Sequence, residues 1–147
     1  MIIYSNKTSF YIDSKIIDFL TLIKNTVCEN EVELIIVNDD EIRQLNFNFL
    51  NKDTTTDVLS FGIDYTGLNV MNPPLGSIVI SINMVLKITS IYQHSLKEEL
   101  AILFTHALLH LLGFDHETDN GEHRKKECEI LNKFGISNSL INRTLES

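Results

Sequence analysis

The segment from Ser95 to Leu112 limits the possible folds more than any other. Ser95-Leu96-Lys97-Glu98 has the pattern of a capping box, with the serine accepting from the glutamate's amide and the glutamate reaching back. From there to Leu112 apolar residues fall on nearly every side of a helix. A helix that is apolar all round is buried all round, so this one is expected at the centre of the fold. Gly113 should end it. Glycine is the default residue for the left-handed position just past a helix, where it lets the chain turn back before Phe114, Asp115 and His116.

Three of the chain's five histidines lie in His106-Ala-Leu-Leu-His110-Leu-Leu-Gly113-Phe-Asp-His116. His106 and His110 are four apart, so on a helix their rings leave one face one turn apart, close enough to share an ion. The turn at Gly113 can bring His116 round as a third corner. Two such imidazoles could instead be core residues bonded to backbone. With no acid beside them to balance a proton, however, burial would carry a desolvation cost that metal ligation removes. Imidazole suits zinc and other borderline divalent metals, and three protein ligands leave a tetrahedral ion one open position, as in catalytic sites. Water there would have its pKa lowered to about 7, and the same ion could polarise a phosphoryl or carbonyl oxygen. One such ion per chain, Zn2+ or another borderline divalent metal, is therefore expected on His106, His110 and His116. His94 and His123 fall outside this spacing and are expected to be solvated, with His94 near enough to the helix start to reach the site.

The rest of the chain fits one domain over residues 1–147. It is 44% hydrophobic and 22% charged, the balance of a soluble globular protein. Met1 to Lys7 lacks the basic lead and apolar run of a secretory signal, and no stretch is long enough to span a membrane, so a cytoplasmic protein is expected. Cys28 and Cys128, each placed inside a helix, are expected as thiols and not as a disulfide. The formal net charge of −8 works against binding a polyanion unless a local patch, a metal or a partner meets it.

Periodicity predicts a short first strand and then an amphipathic helix near residues 13–28. Strands follow at Val32–Val37, Val58–Ile63 and Ile78–Ile82, with helices near 39–48, 83–92 and 121–134, the last closed by Gly135. Asn38-Asp39-Asp40-Glu41 reads as a second capping box.

The histidine spacing is shared with metzincin metalloproteases. Those enzymes need a glutamate directly after the first histidine as general base, and here that residue is Ala107. They also place a methionine turn downstream of the third ligand, whereas Met1, Met71 and Met84 all lie upstream. A metzincin-like peptidase is thus disfavoured.

The chain resembles the YbeY family of metal-dependent endoribonucleases of rRNA maturation. The resemblance runs through Leu45-Asn46, Lys52-Asp53, Thr56-Asp57-Val58-Leu59-Ser60-Phe61, Leu75-Gly76, Ile78-Val79-Ile80-Ser81, His94-Ser95, Glu99-Leu100 and the histidine segment. It implies an α+β fold with a small, mostly parallel sheet packed by helices, and zinc on His106, His110 and His116. It further implies hydrolysis of single-stranded rRNA, with water or the adjacent 2′-hydroxyl as nucleophile. The implied setting is 16S rRNA 3′-end maturation and quality control of the small ribosomal subunit, among its assembly factors.

Three positions depart from the family pattern: Leu50 replaces an arginine thought to hold substrate phosphate, Thr55 a proline, and Ser77 an acid. Loss of the guanidinium removes a bidentate phosphate clamp, for which Lys52, Arg43 and Lys97 are the candidate replacements. Leu50 also leaves open a second reading, a metal-containing ribosome-assembly factor of little catalytic power. Arg124-Lys125-Lys126 reads mainly as a solvated helix face. Asp57 and Ser60 are candidates to stand beside the metal, and Glu98, Glu99, Asp115 and Glu117 are the acids that could relay a proton.

Overall fold

The β-branched runs pair into one four-stranded sheet. In the computed structural model, which describes residues 1–137, the order is β1 (Ile2–Asn6), α1 (Ser14–Val27), β2 (Val32–Val37), α2 (Asp39–Leu50), β3 (Val58–Gly62), β4 (Gly76–Ser81), α3 (Ile82–Tyr92), α4 (Leu96–Leu111) and α5 (Glu122–Lys133). The sheet order is β1-β2-β4-β3. β1 and β4 both run parallel to β2, whereas β3 is antiparallel to β4, from Val58 opposite Ile80 to Gly62 opposite Gly76. This is a small α+β domain with a mixed, mostly parallel sheet; residues 138–147 of the domain expected over 1–147 lie outside the described residues.

β2 is fully buried on the face of Val32, Leu34 and Ile36 and partly covered on the other, where Glu33 and Ile35 are half-buried and Val37 is buried. Leu34, Ile36, Ile78 and Ile80 point to one side, where they meet Leu100, Leu103, Phe104 and Leu108 of α4 and Leu20 and Ile23 of α1. Val37, Ile42, Leu59 and Val79 form a smaller core on the other side, under α2. Every residue of α4 from Glu99 to Leu109 is buried, so the helix that the sequence marks as central is the one around which α1, α3, α5 and the sheet pack. No helix among the described residues is long and apolar enough to cross a membrane.

Element boundaries follow local chemistry. Ser95 caps α4 by accepting from the Glu98 amide at 3.1 Å. Asn38 sits at the N-cap of α2 but makes no side-chain cap bond, which corrects the second capping box. Asn83 Oδ1 takes the Asp39 amide instead, at 2.7 Å, while Glu41 turns outward to Lys7 at 3.4 Å. Asp39 Oδ1 in turn accepts from Ser81 Oγ at 2.6 Å and from Thr55 Oγ1 at 3.3 Å. The start of α2 is thereby tied to the start of α3 and to the loop before β3. Ile82 opens α3 and does not end β4. Cys28 lies one residue past α1 in extended conformation, and both cysteines are half-buried thiols outside any disulfide.

Lys24 is fully buried near the end of α1. Its Nζ donates to the carbonyls of Cys28 at 3.3 Å and Asn30 at 2.9 Å, closing the turn into β2. Lys24→Met keeps the stem but leaves both carbonyls short of a donor. It should cost about 2 kcal/mol, the scale of buried polar groups left unmatched, as measured by urea unfolding; an unchanged midpoint would show that the ammonium contributes nothing.

Candidate metal centre

α4 ends in a Schellman motif. The Phe114 amide reaches back to the Leu109 carbonyl at 3.0 Å and the Gly113 amide to that of His110 at 3.0 Å, with Gly113 at φ 99°. The chain then folds over Asp115, whose Oδ1 accepts from the Glu117 amide at 3.1 Å and whose carbonyl accepts from those of Thr118 and Asp119. This turn sets the His116 ring 5.1 Å from that of His106 and 5.5 Å from that of His110, centroid to centroid, while His106 and His110 stand 4.7 Å apart. The expected trio is therefore assembled.

A fourth ring stands with them. His123, expected in solvent, is fully buried, 4.7 Å from His106, 4.7 Å from His110 and 5.3 Å from His116. Asp119 places it: Oδ1 accepts from the Gly121 amide at 2.8 Å and Oδ2 from the His123 amide at 2.9 Å, fixing the first turn of α5. These two bonds hold the Asp119 carboxyl below its ordinary range. One potential ligand atom from each of the four histidines lies within 4.8 Å of all the others.

Glu127, one turn further along α5, is also fully buried, with Oε1 3.3 Å from His106 Nδ1. A carboxylate this close would favour the imidazole proton on Nδ1 and so leave Nε2 for an ion, the arrangement in which metal-bound histidines are usually held. Burial, then the neighbouring His106 and His116, lowers the His110 pKa. Burial, then His106 and His110, lowers that of His123 to about 4. His110 and His123 are thus neutral at pH 7, as ligation requires.

His94 does not join the cluster. Its side chain is 6% exposed and its Nε2 lies 2.8 Å from Oε1 of the buried Glu99, which corrects the solvated reading and engages Glu99 away from the histidines. Glu98 remains at the capped start of α4.

A cleft of about 330 Å³ opens onto His106 and His110, bounded by Leu50, Lys52, Thr56, Asp57, Ser60, Ala107 and Glu117. Its outer lip is the loop after α2. Asn51 turns left-handed at φ 56°, and Asn46 Nδ2 holds the Thr54 carbonyl at 3.0 Å. Of the residues considered for phosphate, Lys52 lines this cleft. Arg43 is paired with Asp53 at 2.8 Å and borders a separate depression with Asp40 and Phe47. Lys97 lies over the Phe19 ring, 4.8 Å from its centroid. Arg124 and Lys125 are on the exposed face of α5. Asp57, Ser60 and Glu117 reach the cleft, while Asp115 shapes the turn.

Two participants were missed by the spacing argument, His123 and Glu127. The signal was present, because His123, Glu127, Ile130 and Leu131 follow helical spacing and are the buried residues of α5.

The family model for endoribonuclease YbeY matches residues 5–135. The chain belongs to the endoribonuclease YbeY family. Relatives bearing that name include one from Aliarcobacter butzleri, 48% identical with 97% of this chain and 99% of the relative covered. Another, from Nautilia profundicola, is 47% identical over 97% and 98%, and one from Campylobacter jejuni is 44% identical over 88% and 93%. A solution structure of a Thermotoga maritima protein superposes with a TM-score of 0.57 at 24% identity, covering 92% of each chain, a likeness of fold alone. Membership in the YbeY family argues against the peptidase alternative, and Ala107 stands in the cleft with no carboxylate to offer.

Proposed function

We propose that this chain is a metal-dependent endoribonuclease that cuts single-stranded rRNA. Its setting is 16S rRNA 3′-end maturation and small-subunit quality control in the cytoplasm, and its cofactor is one zinc ion per chain. The observation that carries this reading is the convergence of His106, His110 and His116, with His106 and His110 opening onto a cleft that Lys52 also lines. The names of the relatives support the activity. The donor set fits zinc: imidazoles, one of them beside a buried carboxylate, at a spacing an ion can gather.

When bound, zinc supplies Lewis acidity toward a phosphoryl oxygen and lowers the pKa of water. The remaining work falls to the chain. Lys52 attracts the scissile phosphate as a point charge, without the two-pronged grip of the arginine that Leu50 replaces. Asp57 and Glu117, the carboxylates lining the cleft, are placed to take a proton from the attacking hydroxyl. Their negative charge would repel RNA unless a cation offset it, so substrate binding itself should depend on the metal. With a net charge of −8, encounter with RNA is best served within the small subunit and its assembly factors, where the strand is already held.

The test is to strip the protein with chelator, restore zinc, and assay a single-stranded rRNA fragment beside its duplex and a peptide. Zinc-dependent cutting of the single strand alone is expected. Bound metal with intact RNA, even with small-subunit particles present, would favour the assembly-factor reading that the half-exposed Leu50 suggests; peptide cleavage would overturn both. Glu127→Gln, which weakens the brace on His106, should lower zinc affinity about 10- to 100-fold in chelator competition, and equal affinity would remove Glu127 from the site.

A further inference from the structure

We infer that His123 is a fourth protein ligand of the same ion, so that the resting coordination sphere is closed by imidazole. The inference rests on the metal reading above and adds a residue from a different helix. Three ligands come from one continuous stretch, the end of α4 and the turn after it; His123 comes from α5, delivered by the Asp119 cap. Its ring is fully buried, yet among the described residues neither Nδ1 nor Nε2 has a hydrogen-bond partner. Buried polar atoms are matched in the great majority of cases, and the site offers an imidazole with two unmatched nitrogens an obvious acceptor of its lone pair. One potential ligand atom from each histidine falls within the same 4.8 Å. A ring present only for packing would not need a polar edge here, where Phe114, 6.1 Å away, shows that an apolar ring is accepted.

Four protein ligands complete a tetrahedral zinc, whereas sites that bind substrate at the ion keep a position open. Substrate must therefore either displace a ligand or raise the coordination number to five. His123 is the ligand best able to leave, because it stands in the first turn of α5 just after the turn 113–121, while His106 and His110 are carried by the central helix.

Cobalt(II) is the probe, loaded into the full chain as wild type, His123→Leu and His110→Ala, with zinc affinity measured by chelator competition. Wild type should hold one cobalt in a four-nitrogen tetrahedral spectrum that thiocyanate leaves unchanged. His123→Leu should bind at least about 10-fold more weakly, since even loss of an outer partner costs that much, and its spectrum should shift when thiocyanate enters the opened position. Circular dichroism of the metal-free proteins checks folding; should the leucine variant fail it, His123→Gln is judged by the same two readings. Wild-type affinity in His123→Leu, or a wild-type spectrum that already responds to thiocyanate, overturns the inference. If His110→Ala loses the metal while His123→Leu keeps it unaltered, only the fourth ligand falls. If wild type binds no metal, the proposed function falls with it.

Discussion

His110→Ala should give a folded protein that no longer retains zinc and cuts single-stranded RNA at least about 1,000-fold more slowly. The magnitude follows from the Lewis-acid contribution of a bound metal, several kcal/mol, at about 1.36 kcal/mol for each tenfold in rate. Folding should survive, because His110 is only half-buried at the last turn of α4 and alanine favours helix. The ring stands 4.7 Å from both His106 and His123, so its removal opens one whole side of the cluster. Metal analysis, circular dichroism and RNA cleavage on one preparation check all parts of the expectation. A variant that lost its metal yet cut RNA at the wild-type rate would place the chemistry elsewhere.

Gly76→Ala should destabilise the protein by about 4 kcal/mol or more, in the range reserved for severe single-site damage, and thus by much of the usual stability of a small domain. Gly76 begins β4 at φ 140°, and a Cβ there would stand 2.1 Å from the Phe61 carbonyl oxygen and 3.0 Å from Gly62 Cα. These are backbone atoms of the paired strand, so neither can swing aside without breaking the Gly62–Gly76 register. Gly113→Ala is the comparison: its φ is also positive, but no atom lies within 4 Å of the added carbon, and about 1 kcal/mol is expected. Urea unfolding of the two variants should separate close approach from backbone strain. Equal losses would show that the contact with β3 is not the cause. Because β3 carries Ser60 and Leu59 to the cleft, any Gly76→Ala protein that does fold should also bind substrate poorly.

The centre of the molecule was legible because its signals are local. Ser95, the all-round apolar run to Leu112 and the turn at Gly113 each follow from spacing along one helix, and the pair His106 and His110 shares that spacing. His116 needed only the Gly113 turn. His123 and Glu127 were hidden for the opposite reason: their part depends on how α5 packs on α4, and a histidine beside Arg124-Lys125-Lys126 looks like part of a charged, solvated face. Asn38 misled in a similar way. The residue types of a capping box were present, but Asn83, far away in sequence, reached the Asp39 amide instead. Lys52, Arg43 and Lys97 could not be ranked from composition, since each is simply a cation until the fold engages Arg43 with Asp53 and lays Lys97 on Phe19.

The unbroken burial of α4 from Glu99 to Leu109 also bears on how quickly an ion can enter or leave. Helices enclosed in this way open only when most of a domain opens, whereas turns and exposed helix starts open far more often. On the proposed metal reading, His106 within that enclosed stretch, with the half-buried His110 one turn on, would form a half-site standing ready before any ion arrives. On the same reading His116 and His123, on the segment 113–123, would act as the door. Loading and release should then follow the breathing of that short segment, and the exchange half-life of the ion should track amide protection in the first turn of α5, not the global stability of the protein.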